Sequence, residues 1–285
     1  MQKEHLGFLY GIFAALSGTI CALLIKWTQE VPNTTIVFTR FFIALLVFLP
    51  YVIRHRAEIH FFQAPQHWIR GLAGLGSIYC FFYSIEHLPL VTAITMSNTF
   101  ALFIPVVIFF WLKLRIPNMR IWAVVIGFLG VVLILRPAEG ISEWADLTGL
   151  LGAVLSAIAL VGIRQLSKVE TTEIIMAHYF LLSTVVSFVP MLISWEPIAQ
   201  PMLWLNLLLI GIFSLVNQYC LTKSLTYAPS SKVGALSYLN VIFSGLVGWW
   251  FFAEVPTWWV LAGSVLIIVG GLIAVLSKEE AKPWK

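Results

Sequence analysis

Ten apolar stretches, each long enough to cross a bilayer, occupy nearly the whole chain and constrain its fold more than any other feature. A membrane-spanning helix needs about 20 mostly apolar residues. Charged residues make up only 11% of the chain, against about a quarter of an ordinary soluble domain, so too few remain to cover a water-exposed surface. We therefore predict an all-α integral membrane protein with ten transmembrane helices in a lipid bilayer. The predicted spans are 6–26, 34–53, 68–87, 90–111, 119–136, 147–166, 173–194, 203–225, 231–252 and 257–277.

Lysine and arginine are distributed unevenly between the two ends of these spans. Cytoplasmic loops of membrane proteins carry an excess of both residues. If the N-terminus is cytoplasmic, only Lys26 and Arg136 fall outside, and Arg40 lies within a span. The remaining 14 fall inside: Lys3, Arg54, Arg56, Arg70, Lys113, Arg115, Arg120, Arg164, Lys168, Lys223, Lys232, Lys278, Lys282 and Lys285. This bias predicts that both termini are cytoplasmic, and the short loops favour a bacterial inner membrane.

A short pattern occurs once in each half of the chain. The stretch IYCFFYSIEHLP begins at residue 78, and QYCLTKSLTYAP begins 140 residues later. Four residues recur at this offset: Tyr79, Cys80, Ser84 and Pro89 as Tyr219, Cys220, Ser224 and Pro229. Each half holds five spans, and because five is odd the second half must enter the membrane from the opposite side. We predict two inverted five-helix repeats, residues 6–136 and 147–277, an architecture typical of alternating-access transporters.

Three stretches carry a family resemblance: RFFIALLVFLP (40–50), RGLAGLGSIYCFFYSIEHLPLVTAITMSNTFALFIPV (70–106) and LSYLNVIFSGLVGWWFFAEVPT (236–257). They resemble the EamA family of the drug/metabolite transporter superfamily, and most closely its branch of S-adenosylmethionine uptake carriers and organic-anion carriers. The resemblance covers nearly the whole chain. It implies a central cavity lined by spans 1–4 and 6–9, with spans 5 and 10 as buttresses. The chain departs from the family at Leu114, where a Glu is usual, and at Ala101, where a Pro is usual; Glu254 keeps the acid in the second repeat.

Arg40 is the sharpest functional signal in the sequence. It lies about six residues inside span 2, where an arginine facing lipid would cost at least ~2.5 kcal/mol. Its guanidinium could anchor a carboxylate or phosphate, and the resemblance supports this, since an arginine is common at this place; alternatively, the side chain extends to the interface or binds helix-end carbonyls. The other predicted substrate-binding residues are Tyr79, Asn98, Thr99, Tyr179, Asn217, Gln218 and Tyr238. Each also has a structural alternative, as core packing for the tyrosines and as interhelical hydrogen bonding for the amides.

His178 is the only histidine well inside a predicted span, and it is a candidate for proton coupling. A buried histidine in the core is the alternative. No Asp or Glu lies at mid-membrane in the sequence, so exchange and facilitated diffusion stay open. We predict no metal, no cofactor and no nucleic-acid partner, and a homodimer stays open.

The sequence favours a secondary transporter for a small polar metabolite, either an organic anion or an amino-acid-like or nucleoside-like solute. Alternatives are an exporter of drugs or amino acids with the same fold, and a non-transporting membrane scaffold. A membrane enzyme would need clustered acids, metal ligands or an activated nucleophile within the spans, and the sequence has no such group. We therefore expect a transporter and not an enzyme, with direction and substrate open.

Overall fold

The computed structural model describes residues 2–55, 65–114, 118–135, 144–228, 233, 236 and 239–276. Every long element in these ranges is an α-helix. The helices are α1 (Gln2–Trp27), α2 (Asn33–Arg54), α3 (Pro65–His87), α4 (Leu90–Asn98), α5 (Phe100–Leu112), α6 (Asn118–Leu135), α7 (Trp144–Leu166), α8 (Thr172–Ile193), α9 (Pro201–Tyr227), α10 (Leu239–Phe252) and α11 (Trp258–Leu276).

Six helical segments of the described chain have the length and hydropathy of a membrane span: His5–Trp27, Asn33–Arg54, Leu90–Leu112, Trp144–Leu166, Thr172–Ile193 and Pro201–Tyr227. Three shorter apolar segments are Ile121–Ile134, Leu239–Phe252 and Trp258–Ile273. The helices follow the predicted stretches closely, whereas the count of ten spans stays a prediction. Predicted span 4 is divided at Thr99, whose hydroxyl donates to the Met96 carbonyl at 2.6 Å and separates α4 from α5.

The two halves of the chain interleave, and the main helix pairs join one half to the other. Helix α1 packs against α9, α3 against α7, α2 against α8, and α6 against α11. The helices α1, α2, α3 and α6 correspond to α7, α8, α9 and α11 of the other half. When each helix is replaced by its counterpart, the α1–α9 pair becomes the α7–α3 pair, while the α2–α8 and α6–α11 pairs map onto themselves. This pattern is what an inverted repeat with a two-fold relation between its halves would produce.

Individual contacts repeat the same symmetry between α6 and α11. A Cβ at Gly130 would lie 2.5 Å from the carbonyl oxygen of Gly263, and a Cβ at Gly270 would lie 2.6 Å from that of Ala123. Gly270 and Gly263 are each 140 residues after their counterparts, Gly130 and Ala123. The glycines allow the two backbones to touch, as small residues do in membrane helix pairs.

The backbone also repeats just after α5 and α10. Lys113 and Ala253 have φ values of 51° and 52°, and they are the non-glycine residues with positive φ in the described chain. A left-handed conformation at such residues costs roughly 1–2 kcal/mol, so it is not adopted by chance. The residues that follow, Leu114 and Glu254, therefore occupy equivalent places in the two halves although their chemistry differs.

Candidate functional site

A cavity of about 180 Å³ lies between the two halves, near the middle of the bundle. It is lined by the central parts of α1, α3, α7 and α9, by residues around the α4–α5 break, and by single residues of α8 and α10. No described lining residue comes from α2, α6 or α11. The resemblance implied a lining from spans 1–4 and 6–9, and the observed lining agrees except for span 2.

Arg70 is the one charged residue among the described residues that line this cavity. It lies in the second turn of α3, and its side chain is only 2% exposed. The guanidinium carbon lies 3.4 Å from the centroid of the Tyr179 ring, in a cation–π contact with α8. Its Nε and Nη1 have no hydrogen-bond partner within the described ranges. A buried cation with two unpaired donors is a site that favours an anion.

Two glycines make room for this arginine. A Cβ at Gly74, one turn later on α3, would lie 3.2 Å from Nη1 of Arg70 and 3.1 Å from the Tyr179 ring. A Cβ at Gly162 of α7 would lie 3.1 Å from the Arg70 Cβ. All three separations are tighter than ordinary contacts, so the missing side chains let α3, α7 and α8 close around the guanidinium.

Amide side chains supply most of the remaining polarity of the cavity. Asn217 Nδ2 donates to the Ala14 carbonyl of α1 at 2.7 Å, so this amide both lines the cavity and joins the halves. Asn98 also lines the cavity, and its Nδ2 donates to Ile94 of its own helix at 2.8 Å. Gln218 and Asn240 complete the amide set. Of these four amides, the sequence analysis proposed Asn98, Asn217 and Gln218 as site residues. It left a cavity role and an interhelical role open for Asn98 and Asn217, and Asn217 has both.

Four of the predicted site residues therefore line the cavity: Asn98, Tyr179, Asn217 and Gln218. Thr99 is fully buried at the α4–α5 break and is not among the lining residues. Tyr79 packs against the apolar core, and its hydroxyl has no hydrogen-bond partner in the part of the chain that the structure describes. Tyr238 lies outside the described residues.

Arg40 is buried, as predicted, but it does not line the cavity. Its guanidinium carbon lies 4.9 Å from the Phe41 ring and 5.6 Å from the Phe82 ring, and its Nε is unpaired among the described residues. Phe41 in turn packs edge-on against Tyr179 with 5.1 Å between ring centroids. Arg40 and Arg70 are thus connected through two aromatic rings.

His178 is buried beside the cavity and not in its lining. Its ring stacks on His67 of α3, and Glu170 lies next to them. This cluster lies at the end of the bundle where α3 and α8 begin, which we call the Glu170 end.

The opposite end of the bundle is closed by polar contacts, and we call it the Glu254 end. Lys26, at the end of α1, forms an ion pair with Glu254 and donates to the Leu88 carbonyl at 3.2 Å. The other oxygen of Glu254 accepts from the Leu90 amide at 2.7 Å. One carboxylate therefore joins α1, the α3–α4 corner and the α10–α11 corner.

Sequence reasoning missed Arg70, because it counted this residue among the charges at the membrane surface. Its position three residues inside predicted span 3 resembled that of an arginine that extends to the interface. The nearby pattern RGLAG, in which an arginine is followed by two glycines at helical spacing, was the signal available for a side chain enclosed by neighbouring helices.

Comparison with known proteins agrees with this architecture. The chain is 31% identical to the pseudopaline exporter CntI of Pseudomonas aeruginosa over 271 residues, which cover 92% of this chain and 93% of the relative. It is 24% identical to a riboflavin transporter of Vibrio cholerae, with 97% and 94% covered, and 25% identical to an S-adenosylmethionine uptake transporter of Rickettsia bellii, with 88% and 86% covered.

One solved crystal structure matches the fold with a TM-score of 0.69 at 22% identity, and the match covers 95% of this chain and 96% of that one. The model of the EamA-like transporter family matches twice, over residues 5–136 and 143–276. These two matches cover nearly the whole sequence and coincide with its two halves. The chain therefore belongs to the EamA-like transporter family.

Proposed function

We propose that this protein is a secondary transporter that moves a small polar metabolite with an anionic group across the bacterial inner membrane by alternating access. Its family and its named relatives are transporters and not enzymes, as the sequence predicted. The named solutes of those relatives differ in chemistry, so the substrate class is proposed from the cavity of this chain.

The observation that carries the proposal is Arg70, a buried cation with unpaired donors in a cavity between two repeats. Transporters with inverted repeats bind their substrates at the repeat interface near the bilayer midplane. The described lining contains no acidic residue, so the negative charge that Arg70 favours would come from the solute. A carboxylate could accept from Nε and Nη1, while Asn98, Gln218 and Asn240 bind the polar groups of the rest of the molecule.

The size of the cavity supports a compact solute. A volume of about 180 Å³ is below the roughly 300–1,000 Å³ of sites for drug-sized ligands. In this conformation the cavity suits a molecule of amino-acid or hydroxy-acid size better than a large drug. An exporter of amino acids with the same fold stays the alternative, since the cavity alone is compatible with either direction.

We further propose ten spans, with both termini cytoplasmic. The bias of lysine and arginine supports this orientation, and placing Arg70 inside α3 leaves that bias nearly unchanged. In this orientation the Glu254 end is outside and the Glu170 end faces the cytoplasm. The ion pair of Lys26 with Glu254 then closes the outer end, so the structure corresponds to a state closed to the outside.

The test is a binding screen with acid and amide pairs on purified protein in nanodiscs. The probes are L-leucine with L-leucinamide, L-histidine with L-histidinamide, L-lactate with lactamide, and glycerol 3-phosphate with glycerol; S-adenosylmethionine and riboflavin are added as larger solutes. We expect at least one acid to raise the melting temperature and its neutral or amide partner not to do so. Stabilised acids are then tested for flux in proteoliposomes.

Two arginine variants locate the anchor. Arg70→Gln should abolish the stabilisation by acids, whereas Arg40→Gln, which removes a buried charge outside the lining, should retain it. If Arg40→Gln abolished the stabilisation and Arg70→Gln retained it, Arg40 would be the anchor, as the sequence predicts. In that case Arg40→Ala should stop flux without preventing membrane insertion. Flux of a neutral solute alone would contradict the anionic substrate, and no flux of any probe would favour the scaffold alternative.

A further inference from the structure

Two histidines and a carboxylate form a second polar cluster beside the cavity, at the Glu170 end. The rings of His67 (α3) and His178 (α8) stack with 3.9 Å between centroids and 17° between planes. Both residues are about 5% exposed or less, while Glu170, in the α7–α8 connection, reaches the surface. Nε2 of His67 lies 2.8 Å from Oε2 of Glu170. The cluster therefore connects the surface with a buried pair of imidazoles.

The contacts of the pair indicate where a proton can be held. Nε2 of His67 and Oε2 of Glu170 are 2.8 Å apart, which is an ion-pair distance, but they are not aligned as a hydrogen bond, so the carboxylate acts on the ring through its charge. Nδ1 of His178 lies 3.0 Å from the Ile174 carbonyl, which can only accept, so this nitrogen carries a proton. Neither nitrogen of His67 has a hydrogen-bond partner among the described residues, so the ring can take up a proton beside the carboxylate.

The pair has room for one excess proton and not for two. A proton that makes one ring cationic is stabilised by the Glu170 carboxylate next to it. A second cation on a ring stacked 3.9 Å away would be opposed by direct repulsion in a buried environment. The two histidines should therefore share one excess proton.

This unit is directly connected to the cavity. His67 and Arg70 are three residues apart on α3 and so lie on the same face of the helix. His178 precedes Tyr179, whose ring stacks on Arg70. A proton on the pair adds positive charge beside Arg70, and an anion bound at Arg70 reduces the repulsion felt by that proton. Proton and anion should therefore strengthen each other's binding.

Several other ionisable groups that the structure describes at this end make contacts elsewhere. Arg164 donates to the Leu225 carbonyl at 2.7 Å, and Glu173 forms an ion pair with Lys223 at 2.9 Å. From α2, His55 stacks on Tyr51 and bonds to its carbonyl. Lys168 donates to Gln165 in the same helical turn. Among the contacts seen in the described residues, Glu170 touches the pair and Arg70 is linked to it through Tyr179.

A metal ion is the other ligand that two histidines and a glutamate could hold. The candidate ligand atoms lie within 4.8 Å of one another. However, ligands at about 2.1 Å from one tetrahedral ion are separated by roughly 3.4 Å and point toward a common centre. The lone pairs of two stacked, nearly parallel rings do not converge in this way, so the geometry favours a proton.

We propose that His67, Glu170 and His178 bind one exchangeable proton, and that the protein moves this proton together with the anionic solute at Arg70, in the same direction. The coupling depends on the proposed function for its solute, whereas the proton site does not. Proton and solute moving together would let the proton gradient drive uptake.

The proton site is tested without a substrate. Protein with ¹⁵N-labelled histidines in nanodiscs is titrated by NMR across roughly pH 5 to 9, the range of imidazole titration. We expect one coupled protonation of His67 and His178, and we expect Glu170→Gln to lower its proton affinity tenfold or more, since a carboxylate in contact typically shifts a titration by at least one unit. His178→Gln should change the titration of His67.

His87 provides a matched control, because its ring stacks on Tyr83 at 4.1 Å and Glu86 lies beside it, yet it is exposed at the other end. His87→Gln should leave the coupled titration unchanged. Independent titration of the two buried rings, or no response to Glu170→Gln, would overturn the proton site. Stoichiometric binding of Zn²⁺ alone, lost in His67→Gln and His178→Gln, would identify a metal site instead. Glu170→Gln still tests the site if a buried histidine variant fails to fold.

The coupling is tested in vesicles that contain a pH-sensitive dye, with the acids of the binding screen as probes. Uptake of an acid should acidify the lumen, and Glu170→Gln should remove this acidification while exchange of the acid across the membrane continues. Uptake without acidification in the unaltered protein would overturn the coupling. If no acid moves at all, the proposed function fails, and the NMR titration still decides the proton site.

Discussion

At the scale of single residues, the contact between Arg70 and Tyr179 sets the chemistry of the cavity. The ring covers one face of the guanidinium at 3.4 Å and leaves its edge donors, Nε and Nη1, for a ligand. A planar cation held between a ring and two helices loses little freedom when it binds a carboxylate in two-pronged geometry. The arrangement thus preorganises the arginine for anions.

We predict that Tyr179→Leu weakens the binding of acids while Tyr179→Phe leaves it nearly unchanged. Leucine removes the aromatic face, and cation–π contacts contribute roughly 0.5–2 kcal/mol, which corresponds to about a 2- to 30-fold loss of affinity. Titration of the stabilising acid by calorimetry measures this loss. An equal loss in both variants would show that the hydroxyl, and not the ring, holds Arg70 in place.

The sequence could predict which polar residues are buried, but not which of them share a cavity. Asn98, Asn217 and Gln218 were candidates because amides within apolar spans need partners. Arg40 was proposed because it lies inside its span, whereas Arg70 was counted among the charges at the membrane surface. The decisive facts are not local: Gly162 of α7 and Tyr179 of α8 enclose Arg70, whereas Phe41 and Phe82 cover Arg40. Helix packing between distant segments determines this, and hydropathy does not encode it.

At the scale of helices, pattern and structure agree most closely where the two repeats match. Span positions follow from hydropathy because a helix in lipid must satisfy its backbone internally. The break at Thr99 was not predicted, because it depends on a hydroxyl bonding to the carbonyl of Met96 within one turn. Gly130 recurs in the sequence as Gly270, and both glycines lie where α6 touches α11, a contact that the sequence could not show.

We predict that Gly130→Ala destabilises the protein, while Gly245→Ala does not. The added Cβ at Gly130 would meet a backbone oxygen at 2.5 Å, so α6 and α11 would have to separate, at a cost of roughly 1–3 kcal/mol. At Gly245 the nearest atom is a valine methyl at 3.8 Å, an ordinary contact. Melting temperatures in the same detergent compare the two. Equal melting temperatures would mean that this helix pair contributes little to stability.

At the scale of the whole molecule, the two ends of the bundle are closed by related but unequal contacts. Lys26 of α1 reaches the Leu88 carbonyl after α3, and Arg164 of α7 reaches the Leu225 carbonyl of α9. Under exchange of the halves these contacts involve corresponding helices, although the residues are about one helical turn from being equivalent. At the Glu254 end the carboxylate of Glu254 joins the Lys26 contact, whereas its counterpart in the first half is Leu114, and the Glu170 end has the Glu173–Lys223 ion pair elsewhere. The asymmetry should favour a resting state that is closed at the Glu254 end.

We predict that removing this carboxylate from the Glu254 end, or adding a carboxylate at the other end, shifts the conformational equilibrium in the same direction. Glu254→Gln removes the ion pair with Lys26, so the Glu254 end should open more often. Leu114→Glu places an acid after the same left-handed residue in the other half and should favour closure of the Glu170 end. Both changes favour the state that is open at the Glu254 end. Glu254→Gln removes a contact made only when that end is closed, and Leu114→Glu adds a contact made only when the Glu170 end is closed.

Accessibility of the cavity from each side measures this shift. In a protein with Cys21, Cys80 and Cys220 replaced, Ser97→Cys places a single thiol in the lining, and an impermeant maleimide is applied from either side of oriented vesicles. Labelling from the side of Lys26 should rise severalfold in both variants. Glu86→Gln, which alters an exposed acid bonded to Asn33 at the same end, should leave it unchanged. Unchanged labelling in Glu254→Gln would mean that helix packing, and not the ion pair, holds this end closed. A thiol labelled only from the side of Lys26 in every variant would contradict the proposal that the structure is closed at the Glu254 end.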